Sequence, residues 1–255
     1  MVNLTPAQRL IVAADFTPPL DSCEWVHGTD AWVQHSVLGL ADELHGTGIV
    51  LKVNSALRVC GYGLIRQIRL RGLEVFADLK LADIPDTVAT DATILNAEEY
   101  RPQIVTAFAA SGSRSLAEVK KNLPYSEVLG VTALTHLKED EVLQLYGETS
   151  TLSATLKLAG QARQVGLGIV CAPAEAEFVR ERYSGDYSII AAGVRPEWAR
   201  VANESQNLKR VMTPSEAIKA GVTRVVMGRP ILQASNRRDA VLRTIDELTG
   251  VSLVA

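Results

Sequence analysis

Short apolar segments alternate with amphipathic, helix-like stretches along almost the whole chain, and this alternation limits the folds open to it. Strands that alternate with helices form a parallel sheet covered by helices, and eight strands are the number that closes a barrel. The predicted strands are Leu10–Asp15, Ile49–Asn54, Glu74–Lys80, Gln103–Phe108, Val128–Leu134, Leu167–Ala172, Ser188–Gly193 and Arg224–Gly228. The predicted helices are Gly63–Arg71, Val88–Glu99, Leu116–Asn122, Leu152–Gln164, Ala174–Arg182, Pro214–Ala220 and Arg238–Leu248.

The sequence therefore predicts an α/β protein with a (β/α)8 TIM barrel as a single domain over residues 1–255. A doubly wound open sheet is the alternative, but such sheets usually carry a GxGxxG motif after the first strand, and here that strand ends in Ala13-Ala14-Asp15-Phe16. The segment 18–48 is long for one crossover connection. We expect an inserted loop or a short extra helix within it.

Charged residues gather at the end of the third predicted strand. Asp78 and Lys80 are two residues apart and should share one face of the strand, and Asp83 follows in the loop before Pro85. Charges are seldom buried unless they are paired, and such clusters concentrate where chemistry takes place. The alternative is a solvated ladder of salt bridges on an edge strand.

Most of the other predicted strands also end in polar residues or lead into them. Active sites of these barrels lie at the carboxyl ends of the strands, so the side chains there should converge on one rim. The candidate residues are Asp15, Lys52, Asp78, Lys80, Asp83, Thr135, Gly193, Arg195, Gly228 and Arg229.

Glycine and arginine occur together after the seventh and eighth strands, in Gly193–Pro196 and Gly228–Pro230. The loops at these two places form the usual phosphate site of the architecture. Glycine lets backbone N–H groups approach an anion, and a guanidinium can hold it with two hydrogen bonds. The pattern predicts a phosphorylated small molecule as ligand, whereas surface arginines beside tight turns are the simpler explanation.

Lys52, Asp78, Lys80 and Asp83 predict an array of alternating charge, in which each group holds its neighbours in the charged form. An ammonium in such an array is a proton donor and not a Schiff-base nucleophile. A carboxylate that faces a substrate carboxylate disfavours the ground state, and the adjacent ammonium can protonate the carbanion left by CO2. This chemistry needs no metal and no organic cofactor. A Mg²⁺ site on Asp78 and Asp83 is the competing interpretation, although the intervening lysine opposes it.

Composition excludes several classes of function. The net charge of −3 lacks the excess of positive charge that is typical of proteins binding nucleic acid or an anionic membrane. No apolar run reaches the ~18 residues of a membrane span, and we find no signal-peptide pattern. The three cysteines stand in no metal-binding spacing, which predicts reduced thiols in a cytoplasmic protein. The four histidines show no zinc motif.

The segment Asp78–Thr87 resembles the DxKxxDIPxT signature of the orotidine 5′-phosphate (OMP) decarboxylases of bacterial type. The resemblance extends to Leu51-Lys52-Val53, to Gly193–Glu197 with Arg210–Pro214, and to Val226–Ile231. Related sugar-phosphate decarboxylases and hexulose-phosphate synthases share the Asp-x-Lys-x-x-Asp core but not the Ile-Pro-x-Thr continuation.

This resemblance implies decarboxylation of OMP to UMP without metal or cofactor. It implies that Lys80 protonates C6 of the pyrimidine and that Asp78 lies against the substrate carboxylate. Lys52 would orient the network. Lys52 and Asp15 would both contact the ribose. Thr135 would contact the pyrimidine ring.

The resemblance also implies a homodimer and a closing lid. Asp83, Ile84 and Thr87 would act in the neighbouring subunit's site. The Gly193 backbone and Arg229, together with Arg195 and Gly228, would bind the 5′-phosphate beneath a lid spanning Val194–Arg210.

Several positions depart from the family pattern. Leu208 stands where a glutamine is usual before the last basic pair of the lid, and Asn54 replaces a glycine after the second strand. The end of strand four, Val105–Phe108, and the pair Ala191-Ala192 also differ. Because of these departures, a barrel that binds a nucleotide without catalysing a reaction remains an alternative interpretation. A Mg²⁺-dependent sugar-phosphate decarboxylase or aldolase is the other alternative.

Overall fold

Eight parallel strands form a closed barrel in the computed structural model, which describes residues 4–18, 28–199 and 212–251. The strands pair in sequence order and β8 pairs with β1, which confirms the predicted (β/α)8 barrel. The strands are β1 Leu10–Ala13, β2 Val50–Val53, β3 Glu74–Leu81, β4 Ile104–Phe108, β5 Glu127–Val131, β6 Gly168–Cys171, β7 Ile189–Ala192 and β8 Arg224–Met227. Because β3 pairs with both β2 and β4, the charged cluster does not lie on an edge strand.

The helices surround the barrel. They are α1 Gly28–Glu43, α2 Ser55–Cys60, α3 Gly63–Arg69, α4 Pro85–Leu95, α5 Ser113–Asn122, α6 Glu139–Tyr146, α7 Thr151–Gln164, α8 Ala176–Arg182, α9 Pro214–Lys219, α10 Arg229–Leu232 and α11 Arg237–Leu248. No helix in the described part of the chain is long and apolar enough to cross a membrane.

Four of these helices, α1, α2, α6 and α10, were not assigned from the sequence. Helix α1 is the crossover between β1 and β2 and lies inside the segment 18–48, of which residues 19–27 are outside the described part. Helices α2, α6 and α10 have only 6, 8 and 4 residues, so their helical periods are weak, although α9, also of 6 residues, was predicted. Helix α4 begins at Pro85 and not at Val88, since proline fits the first turn of a helix.

Two apolar layers hold the barrel. Alternate strand residues point inward, where Ile11, Val50, Phe76, Ile104 and Leu129 pack together. Their neighbours along the strands point outward and pack against the helices. Burial on both faces explains the continuous apolar runs of the sequence. The inner layer fills the interior of the barrel, which is therefore a packed core and not a channel.

Strand β3 is irregular where it carries its charges. Its register with β4 runs from Ala77 opposite Val105 to Leu81 opposite Ala107, so residues 78–80 face Thr106 alone. Within this bulge Lys80 has a φ of 51°, and no other non-glycine residue in the described part has a positive φ. The predicted regular alternation through Lys80 is therefore wrong in detail. Left-handed backbone costs roughly 1–2 kcal/mol and is usually retained at functional sites.

Candidate active site

A cavity of about 430 Å³ opens at the carboxyl ends of the strands. Its floor is the top of the inner apolar layer, with Ala13, Phe76 and Val226. Its polar lining residues come from the ends of six strands or from the loops that follow them: Asp15, Lys52, Asp78, Lys80, Thr135, Arg195 and Arg229. The predicted convergence on one rim is therefore present for all of these residues.

Charges of alternating sign form a continuous chain along one wall of the cavity. Lys52 Nζ lies 3.1 Å from Asp15 Oδ2 and 3.3 Å from Asp78 Oδ2, and Lys80 Nζ lies 2.8 Å from the same Asp78 oxygen. The side chains of Lys52 and Asp78 are only 10% and 12% exposed. The β3 bulge does not separate Lys80 from Asp78. Instead, it brings the ammonium into hydrogen-bond contact with the carboxylate.

Asp78 is the centre of this cluster. Its Oδ2 atom accepts hydrogen bonds from both lysines, and its Oδ1 atom accepts one from the hydroxyl of Thr106 at 2.9 Å. Burial by itself raises the pKa of the carboxyl, but the charges of Lys52 and Lys80 and the hydrogen bonds from Lys80 and Thr106 outweigh it, so the pKa is below its ordinary value. Asp78 is therefore ionised at neutral pH. Its stabilising effect is present above the unfolded-state pKa and is lost as the pH falls through the lowered native pKa.

The opposite wall of the cavity has the features expected of an anion site. Gly193 follows β7 with a φ of 85°, which favours glycine, and Gly228 follows β8. Gly193, Arg195, Gly228 and Arg229 all line the cavity. The N–H group of Arg195 donates to the carbonyl oxygen of Met212 at 3.0 Å, so this loop is tied to the segment before α9. Two arginines and two glycines thus line the same cavity as the Lys52–Asp78–Lys80 cluster.

Asp83, Ile84 and Thr87 do not join the cavity of their own chain. Asp83 is exposed in the loop after β3, and its Oδ1 accepts a hydrogen bond from the N–H of Ile84 at 2.6 Å. It makes no ion pair among the described residues. Ile84 is 64% exposed, and Thr87 is exposed at the start of α4. Within one chain, Asp15 and not Asp83 completes the alternating array.

Sequence reasoning missed Thr106, which was noted only as part of an atypical end of strand four. The only sequence signal was a threonine inside the apolar run of the strand that follows the signature strand. It also missed Cys171, which lines the cavity and whose thiol pKa is raised chiefly by burial. This thiol is therefore protonated at neutral pH.

The atypical Asn54 is at the start of α2, and its side-chain Oδ1 atom is buried without a hydrogen-bond partner among the described residues. Leu208 and most of the predicted lid fall within residues 200–211, and Cys23 within residues 19–27. Both stretches lie outside the described part of the chain.

The fold and the site define a (β/α)8-barrel protein whose rim combines a lysine–aspartate cluster with paired arginines. The family model described as Orotidine 5'-phosphate decarboxylase / HUMPS family matches residues 8–244, and the chain belongs to this family.

Known relatives are similar over most of their length. Orotidine 5'-phosphate decarboxylase of Actinobacillus succinogenes is 34% identical over 224 residues, which cover 85% of this chain and 94% of the relative. That of Haemophilus influenzae strain Rd is 34% identical over 249 residues, 95% of this chain and 99% of the relative. The crystal structure of orotidine 5'-phosphate decarboxylase from Lactobacillus acidophilus matches with a TM-score of 0.73 at 25% identity, covering 95% of this chain and all of that one.

Proposed function

We propose that this protein decarboxylates orotidine 5′-monophosphate to UMP and CO2 and thereby completes pyrimidine nucleotide synthesis. The observation that carries the proposal is Asp78, held ionised between Lys52 and Lys80 in a cavity that Arg195 and Arg229 also line. Family membership and the names of the relatives support this substrate over other phosphorylated ligands.

The charge cluster supplies both the driving force and the proton. With OMP bound, Asp78 faces the substrate carboxylate, and the repulsion between two anions is relieved as CO2 departs. The bond between C6 and the carboxylate carbon breaks, and its electron pair remains on C6. Lys80 then transfers a proton from its ammonium group to C6, which yields UMP, and the neutral amine regains a proton from solvent. Lys52 stabilises the charged form of Asp78 and, with Asp15, contacts the ribose.

The donors around Asp78 argue against the Mg²⁺-dependent alternative. Both carboxylate oxygens already accept hydrogen bonds, and two of the three donors are ammonium groups. A divalent cation at Asp78 must therefore displace or neutralise two lysines, whereas Mg²⁺ selects oxygen ligands. Asp83, the second carboxylate of that alternative, is exposed outside the cluster.

Remote binding energy completes the mechanism. The backbone at Gly193 and Gly228 and the guanidinium groups of Arg195 and Arg229 hold the 5′-phosphate, and Thr135 contacts the pyrimidine ring. Fixing the phosphate positions C6 against Lys80 and applies binding energy to the reacting carbon. The lid predicted at 194–210 closes over the substrate and excludes water.

The active form in this proposal is a homodimer. Asp83, Ile84 and Thr87 point away from their own cavity and are exposed, and Ile94 on α4 is also 49% exposed. Contiguous exposed apolar patches mark contact surfaces, and the exposed side chains of Ile84 and Ile94 support such a surface here. In the dimer, Asp83 reaches the Lys80 side of the partner's site, and Ile84 and Thr87 contact the partner's substrate.

The cytoplasm is the proposed compartment. Cys60 and Cys171 are free thiols, as expected in a reducing environment.

We expect the purified protein to consume OMP in the presence of EDTA, followed as the fall in pyrimidine absorbance. Lys80→Ala removes the proton donor, so turnover is expected to fall by at least about 100-fold, the lower range for a general acid. UMP binding, measured by calorimetry, should persist. Lys157→Ala is the control, because Lys157 pairs with Glu148 at 3.0 Å on the surface. Loss of turnover on chelation, or near-normal activity of Lys80→Ala, contradicts the proposed chemistry.

Arg229→Ala should weaken the binding of phosphorylated ligands selectively. A lost charged hydrogen bond costs about 1.5–3 kcal/mol, so UMP should bind roughly 10- to 150-fold more weakly. Uridine, which lacks the phosphate, should bind the variant and the parent protein equally. Arg71→Ala is the control, because Arg71 pairs with Asp42 away from the cavity. Equal weakening of uridine and UMP removes Arg229 from the phosphate site.

The dimer predicts complementation between two inactive variants. A heterodimer of Lys80→Ala and Asp83→Ala has one site with both defects and one intact site. Since random pairing makes about half of the dimers mixed, co-refolded variants should recover about a quarter of the parent activity. Each variant refolded alone is the control. If the mixture stays as inactive as its components while light scattering shows dimers, Asp83 does not act across the interface.

A further inference from the structure

Thr106 on β4 is bound to both halves of the Asp78–Lys80 pair. Its hydroxyl donates to Asp78 Oδ1 at 2.9 Å and accepts a hydrogen bond from the backbone N–H of Lys80 at 3.0 Å. The residue is fully buried. One oxygen atom therefore connects the carboxylate of one catalytic residue to the main chain of the other.

The position of Thr106 in the sheet explains why its hydroxyl is needed. Between the register pairs Ala77–Val105 and Leu81–Ala107, Thr106 alone faces the bulge of residues 78–80. A bulge disrupts the regular ladder between strands and leaves backbone groups to find other partners. The Thr106 hydroxyl accepts the N–H of Lys80 in place of a backbone carbonyl. It thereby helps retain the left-handed conformation of Lys80, whose φ is 51°.

The same hydroxyl fixes the rotation of the Asp78 carboxylate. Oδ2 accepts from both lysines, and the hydrogen bond to Oδ1 comes from Thr106. If this bond is lost, the carboxylate can turn about its terminal torsion, which is a soft motion. Lys80 can then relax together with the bulge. Small displacements of this kind reduce rates strongly, because catalysis depends on the placement of the reacting groups.

We infer that Thr106 is a positioning residue for the decarboxylation, holding the Asp78 carboxylate and the Lys80 backbone in their reactive arrangement. This inference rests on the proposed function. Because Thr106 does not line the cavity, it affects the turnover step and not the binding of the substrate's phosphate or ribose.

A purely structural threonine makes different predictions, and kinetics separate the two roles. A structural hydroxyl affects the amount of folded enzyme, which scales apparent kcat and the number of UMP sites together. A positioning hydroxyl lowers kcat per UMP site. It also changes the pH profile, because removing a hydrogen bond to an ionised carboxylate raises its pKa.

The test compares Thr106→Val, which keeps the shape and removes the hydroxyl, with Thr106→Ser, which keeps the hydroxyl. Per UMP site, Thr106→Val should lose about 10- to 150-fold in kcat, the range for a lost charged hydrogen bond. Its KM for OMP should change less than about threefold. The acid limb of its kcat profile should move to higher pH. Thr106→Ser should keep both the kcat and the acid limb of the pH profile of the parent protein.

Thr244→Val is the matched control, since Thr244 is fully buried on α11 with its hydroxyl bonded to the Ala240 carbonyl at 2.8 Å. It should alter stability without altering kcat per site or the pH profile. If Thr106→Val does not fold, Thr106→Cys, with its weak S–H donor, should fall between the serine variant and a tenfold loss.

Parent-like kcat and pH profile in Thr106→Val overturn the inference while the parent enzyme still turns over OMP. Equal loss in Thr106→Ser and Thr106→Val, or in Thr106→Ser and Thr106→Cys, also overturns it, because the hydroxyl is then not the responsible group. A parent protein without OMP turnover refutes the proposed function itself, and this inference with it.

Discussion

The contact of Asp78 with the ammonium groups of Lys52 and Lys80 is the interaction on which the rest of the site depends. A buried carboxylate without partners would take up a proton, and two lysines brought together without a carboxylate would repel each other. Together they remain charged inside an apolar barrel. The energy of assembling them comes from the fold, since the closed sheet and its two apolar layers hold the strand ends in place.

The sheet is adapted to this cluster at one point. The bulge in β3 and the left-handed Lys80 disturb an otherwise regular barrel, and they occur at the residue proposed to carry the proton. Strain of this kind is retained where the surroundings over-determine it. Here the Lys80 ammonium is held by Asp78 and its backbone N–H by Thr106. Backbone and side chain of Lys80 are thus both fixed, by two partners that are hydrogen-bonded to each other, which is the arrangement expected of a preorganised site.

Much of this organisation is predictable from the sequence because it follows from simple periodicities. Eight apolar runs alternating with helical patterns predict the barrel, and the polar residues at the ends of most of these runs predict the rim. Asp15, Lys52 and Arg229 therefore line the cavity as expected. The short helices α2 and α10 were missed, since fewer than two turns give only a weak helical period. Helix α6 was missed as well, although Glu141 Oε2 accepts the N–H of Lys138 and caps its start.

The bulge and Thr106 were beyond the reach of single-strand reasoning. A period of two places Asp78 and Lys80 on one face of a regular strand. The two side chains are in contact as predicted, but the backbone between them is bulged and not regular. The extra residues of β3 become visible only when its register with β4 is known. Asp83 is a second residue whose position could not be predicted from the sequence. The spacing of the signature groups it with Asp78 and Lys80, but the chain turns at Pro85 and leaves it exposed.

The ionisation of Asp78 in the free protein tests the central claim most directly. Carbon-13 NMR of labelled aspartate, assigned with Asp78→Asn, reports this carboxyl as the pH is lowered. We predict that it remains ionised to a pH below about 3.9, the ordinary aspartate value, and that Lys80→Met raises its pKa by removing one charge while burial persists. If Asp78 titrates at or above the ordinary value, or does not respond to the loss of Lys80, the two lysines do not hold it charged and the account is wrong.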